Sequence, residues 1–234
     1  MDELKNIQVI AFDADDTLWD CQTHFEEVER RYCTLLNTYC PESYTADELF
    51  KTEVKNMPEL GFGSKAFALS LVENAVRITQ GRISAQEVAE AALLGRSLLH
   101  IPATPLPGVV TTLRHIQESH RYQMILFTKG DQQEQEGKLH RSGLAPFFDD
   151  IVIVSDKTPE AYRNLCKRFS IDISQLLMVG NSFKSDIEPV LRLGGYAVHI
   201  PFHVQWKHEY TEEFEHDNLW QINHFSELSE LLLT

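Results

Sequence analysis

The feature that most constrains this chain is a mainly apolar run, Ile7–Phe12, which leads directly into Asp13-Ala14-Asp15-Asp16-Thr17-Leu18. A short apolar run of this kind is typical of a strand buried in a sheet. Burying carboxylates is costly unless they have a partner or a use, so Asp13, Asp15 and Thr17 at steps of two indicate a functional strand end. Taken alone, the pattern also fits an ordinary Asp-rich turn after a strand.

The side chains of this segment have the chemistry of covalent catalysis at phosphorus. Asp13 can act as a nucleophile, and Asp15 can exchange a proton with a leaving group or with water. Thr17 can hold the turn that presents both carboxylates. The rest of the chain decides between this interpretation and a plain turn.

Composition excludes several classes of function. The chain has 234 residues, of which 43% are hydrophobic and 24% charged, so we expect a folded protein with room for a core and an insertion. Its formal net charge of -14 argues against a nucleic-acid or anionic-membrane partner. A lysine pair and a metal cation can still bind an anionic substrate within one cleft.

The sequence also predicts a cytoplasmic protein with no membrane partner. No stretch approaches the roughly 18 apolar residues that a membrane span requires. The first residues, Met1-Asp2-Glu3-Leu4-Lys5, have neither the basic nor the apolar region of a signal peptide. The four cysteines form no C-x-x-C pair, which favours reduced thiols over a disulfide framework or a zinc site.

The part of the chain that follows the first motif is predicted to be helical. Apolar residues recur at steps of three and four, or a capping box opens a helix, in Thr23–Tyr39, in Ala46–Val54 (weakly), in Ser64–Ile78 and from Ser84-Ala85-Gln86-Glu87 onward. Three prolines and a glycine within Ile101–Gly108 then mark the return to another unit.

After this return, short apolar strands alternate with helices, which is typical of a parallel sheet with helices on both faces. The predicted strands are Ile7–Phe12, Tyr122–Phe127, Ile151–Val154, Leu176–Val179 and Tyr196–Ile200. We therefore predict an α/β fold with a Rossmann-like, doubly wound parallel sheet. Its core domain comprises residues 1–20 and 104–234, and an inserted α-helical cap domain comprises residues 21–103.

Three more predicted strands end in residues that can do chemistry. The second ends in Thr128-Lys129-Gly130, where a hydroxyl and the N–H groups of a glycine turn can hold a phosphate. The third is followed by Lys157, just ahead of the helix start Thr158-Pro159-Glu160. The fourth leads into Gly180-Asn181 and then into Ser185-Asp186-Ile187-Glu188, a predicted second capping box. Each segment alone has an ordinary structural explanation.

Together and in this order, the four segments resemble the motifs of the haloacid dehalogenase-like (HAD) superfamily of hydrolases. The matching residues are Asp13-x-Asp15-x-Thr17, Thr128, Lys157 and Gly180-Asn181-x-x-x-x-Asp186. The resemblance covers the whole chain, with residues 21–103 in the place of the cap that the family inserts after its first motif.

The resemblance implies a phosphatase that forms an aspartyl-phosphate. It implies that Asp13 attacks phosphorus and that Asp15 protonates the leaving oxygen and later activates water. Thr128 and Lys157, together with the turn at Lys129, would hold the phosphoryl oxygens.

The resemblance also implies a Mg²⁺ cofactor. Asp13, Asp186 and the main-chain carbonyl of Asp15 would bind the metal, with Thr17 and Asn181 in the surrounding shell. Carboxylate and carbonyl oxygens suit Mg²⁺, which also offsets the repulsion between an anionic nucleophile and an anionic ester.

Two positions depart from the family pattern. Asp16 stands where such phosphatases usually have glycine, and Asn181 stands where they usually have aspartate. Aspartate tolerates unusual backbone angles better than most residues. The amide of Asn181 removes one negative charge near the metal, so we expect weaker Mg²⁺ binding.

The expected substrate is a small soluble phosphate monoester, such as a sugar phosphate or a nucleotide. A phosphomutase shares the same intermediate and remains open. A 2-haloacid dehalogenase is disfavoured because such enzymes typically lack the second aspartate and need no metal, whereas this chain has Asp15. A binding protein that keeps only the fold would have no use for the full set of motif residues.

Substrate choice is expected to depend on the helical insert. Within Gly61-Phe62-Gly63-Ser64-Lys65, Phe62 and Lys65 are candidates to contact the substrate, although a glycine-rich helix entry with a solvated lysine is the favoured explanation. The spacing of His199, His203 and His208 matches no metal-ligand pattern, so we expect these histidines to lie on the surface.

Overall fold

The computed structural model describes residues 3–233 of the chain. The chain divides into two compact units, one made of Met1–Asp20 and Ala103–Thr234 and the other of Cys21–Pro102. We call them the core unit and the helical unit. The helical unit is one continuous stretch of chain that follows the first aspartate motif.

The helical unit is formed by four helices that pack around their own apolar core. They are α1 (Gln22–Leu35), α2 (Glu42–Leu60), α3 (Ser64–Ile78) and α4 (Ala85–Ser97). Its core includes Val28, Leu71 and Leu94, which lie on the apolar stripes of α1, α3 and α4. The capping box predicted for α4 is confirmed, because the Ser84 hydroxyl accepts from the N–H of Glu87 and the Glu87 carboxylate accepts from the N–H of Ser84.

Two helices in this unit differ in length from the prediction. The helix α2 extends well beyond the predicted Ala46–Val54 and includes Pro58 near its end. It buries Thr45, Leu49 and Thr52, so only one apolar residue marks its inner face and its pattern is weak. The helix α1 stops at Leu35 rather than at Tyr39.

The core unit contains a parallel sheet, as predicted. Within the described part of the chain it has six strands: β1 (Val9–Phe12), β2 (Gln123–Lys129), β3 (Asp150–Val154), β4 (Leu176–Gly180), β5 (Tyr196–His199) and β6 (Leu219–Gln221). Their order is β3-β2-β1-β4-β5-β6, and every neighbouring pair is parallel. The sequence pattern missed β6, which has only three residues.

Helices cover both faces of the sheet. They are α5 (Val109–Glu118), α6 (Gln132–Ser142), α7 (Pro159–Phe169), α8 (Glu188–Arg192) and α9 (Glu227–Leu233). In β1, Ile10 and Phe12 pack in a cluster that includes residues of α5 and α9, whereas Val9 and Ala11 pack in a cluster that includes residues of α7 and α8. Burial on both faces explains why the strand sequences are almost continuously apolar.

The sequence also predicts that the chain has no membrane-spanning segment and that its cysteines are reduced. Among the described residues, the structure has no helix that is long and apolar enough to cross a membrane. Cys21, Cys33, Cys40 and Cys166 are all free thiols.

A close approach of two helices gives a test of packing in the helical unit. A Cβ atom at Gly95 of α4 would lie 2.4 Å from the Cβ of Ala68 and 2.5 Å from its Cα. Because backbone cannot move away cheaply, Gly95→Ala should lower the free energy of unfolding by about 1–3 kcal/mol, in spite of the better helix propensity of alanine. Chemical denaturation measures this change.

Gly137→Ala is the matched control for this prediction. A Cβ at Gly137 of α6 would meet only the end of the flexible Arg141 side chain, at 3.2 Å. This variant should keep or gain stability, by up to about 1 kcal/mol. Equal stability of Gly95→Ala and the wild type would contradict the close packing of α3 and α4.

Candidate active site

The four motif segments meet at one edge of the sheet because parallel strands share the direction of their carboxyl ends. Asp13 directly follows β1, Thr128 is the penultimate residue of β2, and Asn181 directly follows β4. The chain runs from β1 to β2 and β3 and then returns to β4, so the strand order reverses beside β1. Ligands of open α/β sheets bind at this kind of position.

At the centre of this edge, one buried lysine bridges two buried carboxylates. The Lys157 Nζ lies 2.5 Å from the Asp13 Oδ1 and 2.6 Å from the Asp186 Oδ1. Lys157 precedes α7, whose first turn is capped by the Thr158 hydroxyl, as predicted. All three charged groups are therefore fixed by the ends of regular elements.

The charges of this cluster do not balance. Burial and the nearby Asp186 carboxylate raise the pKa of Asp13 to about 7, although the Lys157 ammonium acts in the opposite direction. Burial alone would lower the pKa of Lys157, but Asp13 and Asp186 outweigh it and the pKa of Lys157 is raised. Two carboxylates and one ammonium leave a net charge of -1, which a further cation would neutralise.

Thr17 joins the first motif to the fourth. Its hydroxyl lies 3.0 Å from the Asp13 Oδ2 and 3.1 Å from the Asn181 Oδ1, and it accepts a hydrogen bond from the N–H of Asn181 at 3.0 Å. Since a hydroxyl has one proton, it donates to only one of these oxygens at a time. Thr17 thus fixes the Asp13 carboxylate and the turn after β4 together.

Asp15 lies in a second charged group, centred on Lys138. The Lys138 Nζ is 2.7 Å from Oδ1 and 2.6 Å from Oδ2 of Asp15. The indole N–H of Trp19 donates to Oδ1 at 2.7 Å, and the amide of Gln135 donates to Oδ2 at 3.1 Å. Burial would raise the pKa of Asp15, but Lys138, Trp19 and Gln135 outweigh it and lower the pKa.

The backbone explains the unusual residue at position 16. Asp16 has a φ of +63°, in the left-handed region that glycine adopts easily and that aspartate tolerates better than most residues. Its N–H donates to the carbonyl of Trp19 at 2.7 Å, which closes the turn. The substitution for glycine therefore keeps the turn that carries Asp15.

Thr128 is buried beside this turn. Its hydroxyl accepts a hydrogen bond from the amide of Gln135 at 2.6 Å. Accepting this bond leaves the hydroxyl proton of Thr128 for donation.

The side chain of Lys129, which precedes the glycine turn, is held by the C-terminal part of the chain. Its ammonium donates to the Ser185 hydroxyl at 2.9 Å and forms an ion pair with Glu209. Glu209 also accepts from the hydroxyls of Ser182 and Ser185. The expected phosphate donor at the glycine turn is wrong for Gly130, whose N–H donates to the carbonyl of Val154 at 3.0 Å. A role of Lys129 in phosphate binding stays a prediction.

Glu209 is ionised because of these partners. Burial would raise its pKa, but the Lys129 ammonium and hydrogen bonds from Lys129, Ser182 and Ser185 lower the pKa to about 2. Lys129 is the last residue of β2, Ser182 and Ser185 follow β4, and Glu209 lies in the segment before β6. The cluster therefore ties the segment before β6 to the ends of β2 and β4.

The predicted capping box at Ser185-Asp186-Ile187-Glu188 is wrong. The cap is Ser182, whose hydroxyl accepts from the N–H of Ser185 at 3.1 Å, and a π-helical segment, Phe183–Ile187, precedes α8. The wider π turn places Asp186 next to β4, where its Oδ2 accepts from the N–H of Ser182 at 3.0 Å. A Cβ at Gly180 would lie 2.2 Å from this oxygen, so the site requires glycine there.

The expectation of surface histidines is wrong for His199. It is buried at the end of β5, and its Nε2 lies 3.0 Å from the carbonyl oxygen of Asn181. His203 is exposed and His208 is partly buried. Among the described residues, no three His, Cys, Asp or Glu side chains form a metal-binding group, so these histidines build no metal centre.

The two candidate substrate contacts lie in the helical unit. Phe62 is partly buried in the turn between α2 and α3, and Lys65 is exposed in the first turn of α3. The flanking Gly61 and Gly63 have φ values of +70° and +112°, which explains the two glycines. A substrate contact by Phe62 or Lys65 stays a prediction.

Sequence reasoning missed several residues of the site. They are Trp19, Gln135, Lys138 and Glu209. The sequence does indicate two of them, Gln135 and Lys138. The helix α6 carries few apolar residues, and these two lie three positions apart on one of its faces.

Known proteins are similar to this chain over most of its length. Residues 7–194 match the family model of haloacid dehalogenase-like hydrolases. The chain is 23% identical to the glyceraldehyde 3-phosphate phosphatase of Methanocaldococcus jannaschii over 97% of both chains. It is 26% identical to the pyrimidine 5'-nucleotidase YjjG of Escherichia coli over 95% of this chain and 96% of that protein.

A solved structure is similar along almost the whole chain. It is a haloacid dehalogenase-like family hydrolase from Xanthomonas campestris, with a TM-score of 0.88 and 30% identity. The match covers 97% of this chain and 91% of the other.

The buried Glu209 predicts a pH-dependent contribution to stability. Glu209→Gln should lower the free energy of unfolding at neutral pH by up to about 3 kcal/mol, since each pKa unit corresponds to about 1.4 kcal/mol. Because folding lowers this pKa, the stabilisation is complete above the ordinary glutamate value of 4.5 and disappears as the pH falls toward about 2. Urea unfolding at about pH 7 and about pH 4 measures the change.

The difference between variant and wild type should thus narrow by about 1 kcal/mol between these two pH values. Glu215→Gln, in the same segment but exposed, is the control and should match the wild type at both. A difference that does not change with pH would contradict an ionised Glu209 as its source.

Proposed function

Since this chain belongs to the haloacid dehalogenase-like hydrolases, we propose that it is a Mg²⁺-dependent phosphatase that hydrolyses a small soluble phosphate monoester through an aspartyl-phosphate. The observation that carries this proposal is the Asp13 carboxylate, held at a strand end by Lys157 and Thr17 next to Asp186. Relatives named as phosphatases and nucleotidases support the same class of substrate.

Asp13 is the proposed nucleophile. One carboxylate oxygen attacks phosphorus, the bond from phosphorus to the leaving oxygen breaks, and the alcohol departs with a proton. Water then attacks phosphorus, which releases inorganic phosphate and restores the Asp13 carboxylate. Lys157 holds the carboxylate in place and favours its anionic form against the effects of burial and of Asp186.

Asp15 is the proposed acid and base. Its side chain is 28% exposed, while the side chain of its partner Lys138 is 3% exposed, so Asp15 is the more accessible member of the pair. It would give a proton to the leaving oxygen and take one from water in the second step. Because its pKa is lowered, Asp15 is a base in the resting protein, so its carboxylate must take up a proton from solvent before it can protonate the leaving oxygen.

The phosphoryl oxygens would be held by Thr128 and Lys157. The Thr128 hydroxyl has its proton available for donation, and the Lys157 ammonium lies beside the proposed nucleophile. The N–H of Gly130 already donates to the carbonyl of Val154 at 3.0 Å, so Thr128 and Lys157 are the donors that the proposal uses. These groups would neutralise the charge on the oxygens around phosphorus, which phosphoryl transfer requires.

The donors at this site fit Mg²⁺. Asp13, Asp186 and the main-chain carbonyl of Asp15 are hard oxygen ligands, and Thr17 and Asn181 would support them. The uncompensated negative charge of Asp13 and Asp186 beside Lys157 is what a divalent cation offsets. When bound, Mg²⁺ would reduce the repulsion between the nucleophile and the anionic ester.

We propose a sugar phosphate or a nucleotide as the substrate, which is supported by one relative named for glyceraldehyde 3-phosphate and another named as a pyrimidine 5'-nucleotidase. We assign the helical unit, residues 21–102, the role of a cap domain that sets substrate choice, with Phe62 and Lys65 as candidate contacts. Four free thiols favour a reducing compartment, so we place the enzyme in the cytoplasm.

Asp13→Asn tests the nucleophile. The change is nearly isosteric and removes repulsion with Asp186, so the variant should be at least as stable as the wild type. Phosphate release should fall by at least about 10³-fold, as expected when a nucleophile is removed. The assay measures inorganic phosphate from a panel of phosphate esters, which separates hydrolysis from transfer to another hydroxyl.

Asp217→Asn, which changes an exposed aspartate, is the matched control and should keep full activity. Wild-type turnover by Asp13→Asn would refute the nucleophile assignment. Loss of activity in both variants would point to an effect of charge in general.

Metal dependence has its own test. A chelator should abolish turnover, and added Mg²⁺ should restore it. In the absence of substrate, excess Mg²⁺ should stabilise the wild type by roughly 1–3 kcal/mol through binding to the folded state, and Asp186→Asn should lose most of this gain. Full activity in chelator, or equal stabilisation of the variant, would contradict the proposed metal site.

A further inference from the structure

The helix α6 buries a polar face at the candidate active site. Glu134, Gln135 and Lys138 are buried together with a single apolar residue, Leu139. A helix that packs only for stability buries an apolar stripe, because buried charges and amides are costly unless they are paired. The buried polar face of α6 therefore indicates that its residues have a role at the site.

Lys138 contacts both carboxylate oxygens of Asp15, at 2.7 and 2.6 Å. The Lys138 side chain is almost fully buried, whereas the Asp15 side chain is partly exposed. Because the Lys138 ammonium is shielded from solvent, we expect it to affect a ligand through its contact with the Asp15 carboxylate and not by binding the ligand itself. Glu134, at 4.0 Å, is a weaker second partner of the same ammonium.

Gln135 connects Asp15 to the end of β2. Its amide nitrogen lies 3.1 Å from the Asp15 Oδ2, 2.6 Å from the Thr128 hydroxyl and 3.0 Å from the carbonyl of Lys129, and its two protons serve two of these acceptors at a time. Its Oε1 is buried and has no hydrogen-bond partner among the described residues. An unpaired buried carbonyl is unfavourable, so the side chain is held in this orientation by the acceptors at its nitrogen.

We propose that Lys138 and Gln135 are positioning residues that fix the direction of the Asp15 carboxylate for proton exchange with the ester oxygen. The proposal rests on the phosphatase function given above and extends it to α6. Trp19 completes the set by donating to Oδ1. With donors on both oxygens, rotation of the carboxylate about its χ2 angle is restricted.

The alternative is that the pair between Lys138 and Asp15 only stabilises the fold. The two explanations differ in how activity should depend on the leaving group. A misplaced acid harms an ester whose leaving group needs a proton more than one whose leaving group departs as a stable anion. Partial unfolding of the enzyme would lower both rates by the same factor.

The test compares Lys138→Met with the wild type on two aryl esters, phenyl phosphate and p-nitrophenyl phosphate. Single-turnover release of the phenol, with enzyme in excess over ester and with Mg²⁺ present, isolates the first chemical step. The rate with phenyl phosphate should fall by roughly 10²-fold, and the rate with p-nitrophenyl phosphate by less than about 10-fold. Lys167→Met, which removes an exposed lysine from α7, is the control and should behave as the wild type.

Gln135→Met keeps the test usable should Lys138→Met fail to fold. It removes an uncharged donor of similar size and should show the same leaving-group dependence with smaller losses. Equal losses on both esters, or no loss in either variant, would overturn the positioning role. Absence of phenol release by the wild-type enzyme from both esters would instead refute the proposed phosphatase function.

Discussion

The site depends on one buried ammonium shared by two buried carboxylates. Lys157 bridges Asp13 and Asp186 and brings together residues that follow β1, β3 and β4. Neither carboxylate could be buried so fully without it, because an isolated buried carboxylate tends to become neutral. One ammonium does not neutralise two carboxylates, and the remaining negative charge is the physical reason to expect a cation at this strand end.

Two further charged groups lie around this centre and hold Asp15 and Lys129 in place. Lys138 fixes the carboxylate of Asp15, and Glu209 holds Lys129 together with two serine hydroxyls. Each group pairs a residue from a strand end with a residue from a helix or from the C-terminal segment. The candidate active site is thereby supported by parts of the core unit that lie far apart in sequence, which favours fixed directions for its side chains.

Much of this arrangement follows from the sequence, because parallel strands with apolar runs must place Asp13, Thr128 and Lys157 at one edge. Other parts do not. The direction of Lys138 and the approach of Glu209 result from tertiary packing, which no local pattern encodes. The π turn before α8 overrode a local capping pattern, and the weakly amphipathic α2 gave too little apolar signal to set its ends. The positive φ of Asp16 could be predicted from the sequence, because aspartate stands at a position where glycine is usual and tolerates this conformation better than most residues.

The most direct test of the account is to identify the residue that carries the phosphoryl group during turnover. The enzyme would be mixed with Mg²⁺ and an ester that it hydrolyses, quenched in acid after a few milliseconds, digested and analysed by mass spectrometry. The account predicts an acyl phosphate on Asp13, sensitive to hydroxylamine. A phosphoryl group on another residue would contradict this assignment. Rapid phosphate release with no phosphorylated enzyme at any quench time would also contradict it, because that result indicates direct attack by water on the ester.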